Sequence, residues 1–114
     1  MSLHLSHTTV NAVDPERLAA FWSALADWRV QDSEPGEVYL IDDNGFTTLF
    51  IEVPDGKQVR NRVHLDLRPV GATQDEEVAR AVELGASVLE DRRPGDRWVV
   101  LADPEGNEFC ILAG

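Results

Sequence analysis

His64, Asp66 and Arg68 alternate with Val63, Leu65 and Leu67 in the stretch from Arg62 to Arg68. A strand here carries an imidazole, a carboxylate and a guanidinium on one face. A second stretch, from Trp98 to Leu112, holds an apolar run, the turn former Asp103-Pro104-Glu105-Gly106 and another apolar run from Phe109. Proline fixes φ in such a turn and glycine permits a positive φ, so the two runs are expected to lie antiparallel. Alternation then places Glu108, Cys110 and Leu112 on one face and Phe109 and Ile111 on the other. That face mixes a carboxylate with a thiol. Glu108 is either a cavity carboxylate that meets a cationic ligand or an internal arginine, or a solvated group; burial would raise its pKa and an arginine would lower it. Cys110, the single cysteine, reads as a small buried hydrophobe rather than a nucleophile, because no His or Lys adjoins it in sequence. An Asp66–Arg68 ion pair would be worth little if exposed and costly to break if buried.

Further candidates come from the aromatics and from the first half. Trp98 and Trp28 are strand aromatics whose indole N–H groups need partners, and Trp98 is the better candidate to line a pocket. Trp22 and Phe21 most simply staple a helix to a sheet, although adjacent aromatics cannot both be buried on one narrow helical line, so Trp22 also counts as a cavity candidate. His7 and His64 either share a ligand or are strand histidines that bond backbone carbonyls or water.

The elements that must position these groups follow an order that repeats. Leu3 to Val13 alternates loosely as a strand; Asp14-Pro15-Glu16 then reads as a helix start, with Leu18, Phe21, Trp22 and Leu25 on one apolar stripe. Three strands follow, Trp28 to Asp32, Val38 to Asp42 and Thr47 to Val53, separated by Ser33-Glu34-Pro35-Gly36 and Asp43-Asn44-Gly45. The second half begins with the strand around His64. Thr73 and Glu76 fit a capping box, Val78, Ala81 and Val82 form a stripe, and Gly85 sits where a helix-ending glycine belongs. Ser87 to Asp91, the turn Arg93-Pro94-Gly95-Asp96 and the hairpin complete it. Each half reads strand, helix, three strands, and neither can close a core alone. The expectation is an α+β fold of two pseudo-symmetric βαβββ modules, with a curved mixed sheet around a concave cavity. Pro54 to Arg62, holding the only lysine, Lys57, reads as the linker between modules or as a segment that moves over a ligand.

With 114 residues, 43% of them hydrophobic, the chain has room for one domain with its own core. A net charge of -11 would repel phosphate backbones and anionic lipid heads, which argues against nucleic-acid and membrane partners. It fits either plain solubility or an acidic groove for a cationic ligand. No apolar run approaches the ~18 residues of a membrane helix, and a soluble, cytoplasmic protein is expected. Neither G-x-G-x-x-G, G-x-x-x-x-G-K-[ST] nor G-x-S-x-G occurs, so the common nucleotide and hydrolase readings fall away.

The βαβββ repeat, together with HTTVNAVD entering DPERLAAFW, VHLDL opening the second half and DPEGNEFC near the end, resembles the vicinal oxygen chelate superfamily. The likeness is strongest to its glyoxalase and bleomycin-resistance-like domains and spans nearly the whole chain. It implies one domain, residues 1–114, with a module over about 1–55, a linker at 56–61 and a module over about 62–114. In metal-dependent members of such a family, four ligands come from the first and last strands of the two modules. His7 matches the first position and His64 the third, imidazoles apt for Zn, Ni, Mn or Fe once carboxylates complete the shell. For the second position Glu52 is the one carboxylate close by, although a one-residue slip would place Ile51 there instead. At the last position, four residues after the turn glycine, glutamate is replaced by Cys110, with Glu108 two residues earlier. That replacement removes the carboxylate such enzymes would use for proton transfer.

The function expected is therefore binding of a small organic, cationic molecule in a cavity lined by His7, His64, Trp98, Glu108, Cys110 and Trp22, without an intact catalytic metal site. No cofactor is expected, a divalent metal held by His7, His64, Glu52 and either Glu108 or Cys110 being the alternative. That alternative corresponds to a metal-dependent lyase, isomerase or extradiol-type dioxygenase; a scaffold with a filled cavity is the third reading. The resemblance also implies a homodimer.

Overall fold

The computed structural model describes residues 2–94 and 97–114, so Gly95 and Asp96 of the expected turn lie outside the described residues. The chain divides into two compact units, Met1–Gly56 and Lys57–Gly114. The first unit runs β1 (Thr8–Ala12), α1 (Pro15–Ala26), β2 (Arg29–Glu34), β3 (Glu37–Ile41) and β4 (Thr47–Glu52). The second runs β5 (Leu65–Leu67), α2 (Gln74–Leu84), β6 (Ser87–Asp91), β7 (Val99–Ala102) and β8 (Glu108–Ile111). Each unit thus has the expected βαβββ order and one mixed four-stranded sheet. The strand orders are β1-β4-β3-β2 and β5-β8-β7-β6, with the first strand parallel to the last and the other pairs antiparallel.

Local chemistry sets the helix ends. Asp14 caps α1, its Oδ1 accepting from the Arg17 N–H at 3.2 Å, and Pro15 occupies the first turn, where a missing N–H costs nothing. Thr73 Oγ1 accepts from the Glu76 N–H at 3.1 Å while Glu76 Oε1 accepts from the Thr73 N–H at 2.9 Å, a reciprocal capping box. Gly85 closes α2 at φ 121°, a conformation that strains any residue with a Cβ. In unit 1, Leu18, Phe21, Trp22 and Leu25 are buried on α1, which packs on β3 and β4 where Val38, Leu40 and Phe50 are buried. In unit 2, α2 buries Val78 and Ala81 and packs on β6 and β8.

The turn before the last strand is built twice. Asp42 Oδ1 accepts from the Asn44 and Phe46 N–H groups, both at 2.9 Å. Asp103 Oδ1 accepts from the Glu105 and Asn107 N–H groups at 3.0 and 2.9 Å. This correspondence equates Leu49 with Cys110, each four residues after its turn glycine, Gly45 or Gly106.

Strand lengths differ from expectation for one reason, the reach of the partner. The strand expected from Leu3 begins only at Thr8, because β4 offers partners from Thr48 onward, and Leu3 and Leu5 stay exposed. Likewise the strand expected over Arg62 to Arg68 is confined to Leu65–Leu67 beside a four-residue β8, leaving Val63 exposed. Ser33 and Glu34, expected in a turn, continue β2 opposite Val38 and Glu37. Among the described residues no helix is long and apolar enough to cross a membrane.

Candidate functional site

Residues paired across a sheet share a face, so the register of the second sheet sorts its side chains. Asp66, Cys110, Val100 and Glu90 form one continuous row across β5, β8, β7 and β6. Leu65, Phe109 and Leu101 form the next row on the opposite face, where Phe109 and Leu101 are fully buried. Glu108 joins the first face by alternation, while His64, just before β5, is placed there by its contact with Asp66, and Trp98, just before β7, by the Arg92 side chain that also bonds Glu90.

On this face His64 Nε2 lies 3.3 Å from Asp66 Oδ1. One donor atom each from His64, Asp66 and Cys110 fall within 4.8 Å of one another. His64 and Asp66 are about half exposed, whereas Cys110 is buried in the sheet. Burial pushes the Cys110 thiol up to about 11, helped by its hydrogen bond to Asp66 and that group's negative charge, with Arg60 opposing weakly. The thiol is therefore protonated at neutral pH and inert as a nucleophile, as its sequence surroundings imply.

Glu108 is held by groups that sequence reasoning did not connect to it. Its Oε1 accepts from the Asn61 N–H at 2.7 Å and its Oε2 from Lys57 Nζ at 2.8 Å. Burial alone pushes this carboxyl up, but the hydrogen bonds from Lys57 and Asn61 and the lysine charge outweigh it and leave the group below the usual carboxylate range. Asn61 Nδ2 also donates to Asn107 Oδ1 at 3.0 Å, and Asn107 Nδ2 donates to both oxygens of buried Asp103. The segment read as a linker is thus fastened to the β7–β8 turn through Lys57 and Asn61. The cation partner expected for Glu108 exists, but it is Lys57 rather than an arginine.

Trp98 stands at the other side of the face, 41% exposed, with the Arg92 guanidinium 5.6 Å from its ring centroid. Arg92 also bonds Glu90 Oε1 through Nε at 3.0 Å. A planar surface backed by an ion pair results, suited to stacking.

In the first unit His7 is half-buried, with its ring edge-on to Tyr39 at 5.7 Å and Nδ1 2.9 Å from Ser6 Oγ. The register answers the one-residue question about the neighbouring strand. Tyr39 pairs with Leu49 and Glu37 with Ile51, so Ile51 shares the Tyr39 face, whereas Glu52 alternates onto the side of Phe50, which pairs with buried Val38. Gly36 confirms that placement: its N–H donates to Glu16 of α1, and its position closely abuts the Glu52 carboxylate. Glu52 and His7 therefore occupy opposite faces, which corrects the expectation that they ligate one metal. Trp22 is corrected as well. It is 4% exposed, stacked on Trp28 at 5.6 Å and edge-on to Phe21, so it is a core residue with no edge to offer a ligand.

A cleft of about 480 Å³ lies apart from these groups, lined by Thr73, Gln74, Asp75, Arg93 and Pro94. Its one cation, Arg93, is taken up by Asp91 and Asp75 at 2.6 Å each.

Residues 7–112 match the model of a glyoxalase-like domain. Among solved structures, the chain resembles the fosfomycin resistance protein FosX of Mesorhizobium loti at TM-score 0.81 and 19% identity, over 100% of this chain and 94% of that one. FosX of Listeria monocytogenes, in a complex with Mn(II) and 1S,2S-dihydroxypropylphosphonic acid, matches at 0.79 and 22%, over 100% and 92%. A glyoxalase/bleomycin resistance protein/dioxygenase family enzyme of Burkholderia phytofirmans matches at 0.76 and 19%, over 94% and 95%. No curated protein matches the chain.

Proposed function

The chain belongs to the glyoxalase-like domain family, and from that premise we propose that it binds a small organic, cationic molecule on the His64–Trp98 face, without the carboxylate-ended catalytic centre of a glyoxalase-type enzyme. One observation carries the reading. The slot four residues after Gly106 holds a protonated, buried thiol, and the nearest carboxylate on that strand, Glu108, has both oxygens engaged by Asn61 and Lys57. A base for proton transfer is therefore missing from β8. What the face retains is recognition chemistry: an accessible indole, the exposed imidazole of His64, and the carboxylates Asp66 and Glu90 in one row. Indole and carboxylates together favour a cation with a flat or apolar body. The overall charge of -11 would draw such a guest toward the protein.

A homodimer belongs to the same proposal, as the resemblance to the family implies, and it is supported by edge strands β2 and β6 that are exposed along their whole length. Thermal-shift screening of organic cations against size-matched anions and neutral molecules tests the ligand class. A guest held at a hundred times its Kd adds about 2.7 kcal/mol. Stabilisation by cations that Trp98→Ala abolishes supports the reading. Stabilisation only by anions, or turnover of a glyoxalase-type substrate by the purified protein, overturns it.

A further inference from the structure

We propose that His64, Asp66 and Cys110 form a binding site for a thiophilic divalent metal of the zinc class, contained within the second unit. The divalent metal implied by the family meets an altered donor set in this chain. Glu52 lies on the wrong face of its sheet to join His7, and Glu108 is committed to Lys57 and Asn61. Among the described residues, the donors that converge are one imidazole nitrogen, one carboxylate oxygen and one sulfur.

Three observations support a fit. The parallel register sets Asp66 directly beside Cys110, and His64, immediately before β5, turns its imidazole to the Asp66 carboxylate, so the three donors converge. Ligand atoms around tetrahedral zinc stand ~3.3–3.8 Å apart given its bond lengths. The His64–Asp66 separation of 3.3 Å already meets this spacing, and the remaining separations stay within 4.8 Å. Finally, the two donors that would have to rotate inward are the half-exposed ones, while the sulfur is fixed by the packing of β8.

The donor types decide which metal. A carboxylate-ended site suits Mn, Mg and Ca, whereas a thiolate shifts preference to zinc and its soft neighbours. Replacing the last carboxylate by Cys110 therefore does not simply delete a metal site; Asp66 supplies an oxygen from the neighbouring strand, and the sulfur changes the selectivity. Three protein donors leave one position for an exogenous ligand, the arrangement of open zinc sites. The site stands on its own geometry and does not require an organic guest.

Cobalt(II), which reports thiolate ligation by a charge-transfer band, tests the site on the full chain stripped of metal. The expected result is one Co(II) per chain with that band, bleached by stoichiometric Zn(II) and untouched by equal Mn(II). Cys110→Ser should lose the band. Asp66→Asn and His64→Ala, both at exposed side chains, should each weaken Co(II) by about tenfold or more, since even outer partners of metal ligands are worth ~10–100-fold. Absence of the band in the wild-type chain, its survival in Cys110→Ser, displacement by equal Mn(II), or wild-type affinity in both exposed-residue variants overturns the proposal. Should Cys110→Ser fail to fold by circular dichroism, the two exposed-residue variants decide alone. A guest that stabilises the metal-free protein bears only on the ligand reading, so the two can fail separately.

Discussion

Lys57 Nζ lies 2.8 Å from Glu108 Oε2, with the two side chains only 20% and 9% exposed, so the lone lysine of the chain is committed to an ion pair that is mostly out of water. Removing one partner leaves the other charge covered and uncompensated. Lys57→Ala should therefore cost about 1–3 kcal/mol, less than for a fully enclosed pair because the lysine keeps part of its surface in solvent. Denaturant melts of Lys57→Ala, Glu108→Gln and the double variant check this: the double should lose less than the sum.

The same pair sets an acid dependence. Glu108 has its pKa lowered in the folded protein, so its contribution is complete above the ordinary carboxylate value of 4.5 and disappears as pH falls through the depressed folded value. Wild type should be more stable than Glu108→Gln at neutral pH, and the gap should close on acidification. Paired thermal melts from about pH 7 to about pH 3 measure it. A gap that widened toward low pH would mean burial, not Lys57, dominates the carboxyl.

Asp42 and Asp103 perform the same turn chemistry in different surroundings. Asp103 is 4% exposed and takes backbone donors from Glu105 and Asn107 plus both oxygens' bonds from the Asn107 amide, whereas the bonds of Asp42 lie near solvent. Asp103→Ala should cost ~2–4 kcal/mol and Asp42→Ala ~1 kcal/mol, because unsatisfied buried donors cost most where water cannot replace the acceptor. Chemical denaturation of both variants gives the ordering.

Periodicity made much of this molecule legible, and long-range pairing hid the rest. Asp14, Thr73 and Gly85 announce their helix ends because capping is local chemistry, and the DPEG turn announces the hairpin in the same way. Alternation correctly grouped His64 with Asp66 and Glu108 with Cys110. That β5 lies parallel to β8, which turns two pairs into one cluster, depends on tertiary pairing. The Lys57–Glu108 contact spans half the chain and leaves no periodic trace. Glu52 shows the other limit: its face hinges on one residue of register, which only the β3–β4 pairing fixes.

Cys110 should be slow to alkylate in the metal-free protein. A thiol near 11 carries roughly 200-fold less thiolate at pH 8 than an ordinary one near 8.5, and burial slows access further. Iodoacetamide labelling followed by mass spectrometry should show this lag. Asp66→Asn removes a charge and the hydrogen bond that retain the proton, so labelling should quicken. An unchanged rate would show that burial alone governs the thiol.

Trp22 and Trp98 should give opposite signatures. Trp22 is packed between Trp28 and Phe21 in the α1 core, so Trp22→Ala leaves a large void and should cost about 3–5 kcal/mol. Trp98 is 41% exposed and its main partner is the Arg92 guanidinium, a contact worth about 0.5–1 kcal/mol at such a site, so Trp98→Ala should stay within about 1 kcal/mol of wild type. Guest binding should follow the reverse order. Trp98→Ala should fold normally yet lose the cation-induced thermal shift, and the guest should quench tryptophan emission in wild type but not in that variant. A Trp98→Ala protein that keeps full guest affinity would move the recognition surface away from β7, toward the His64 side of the sheet.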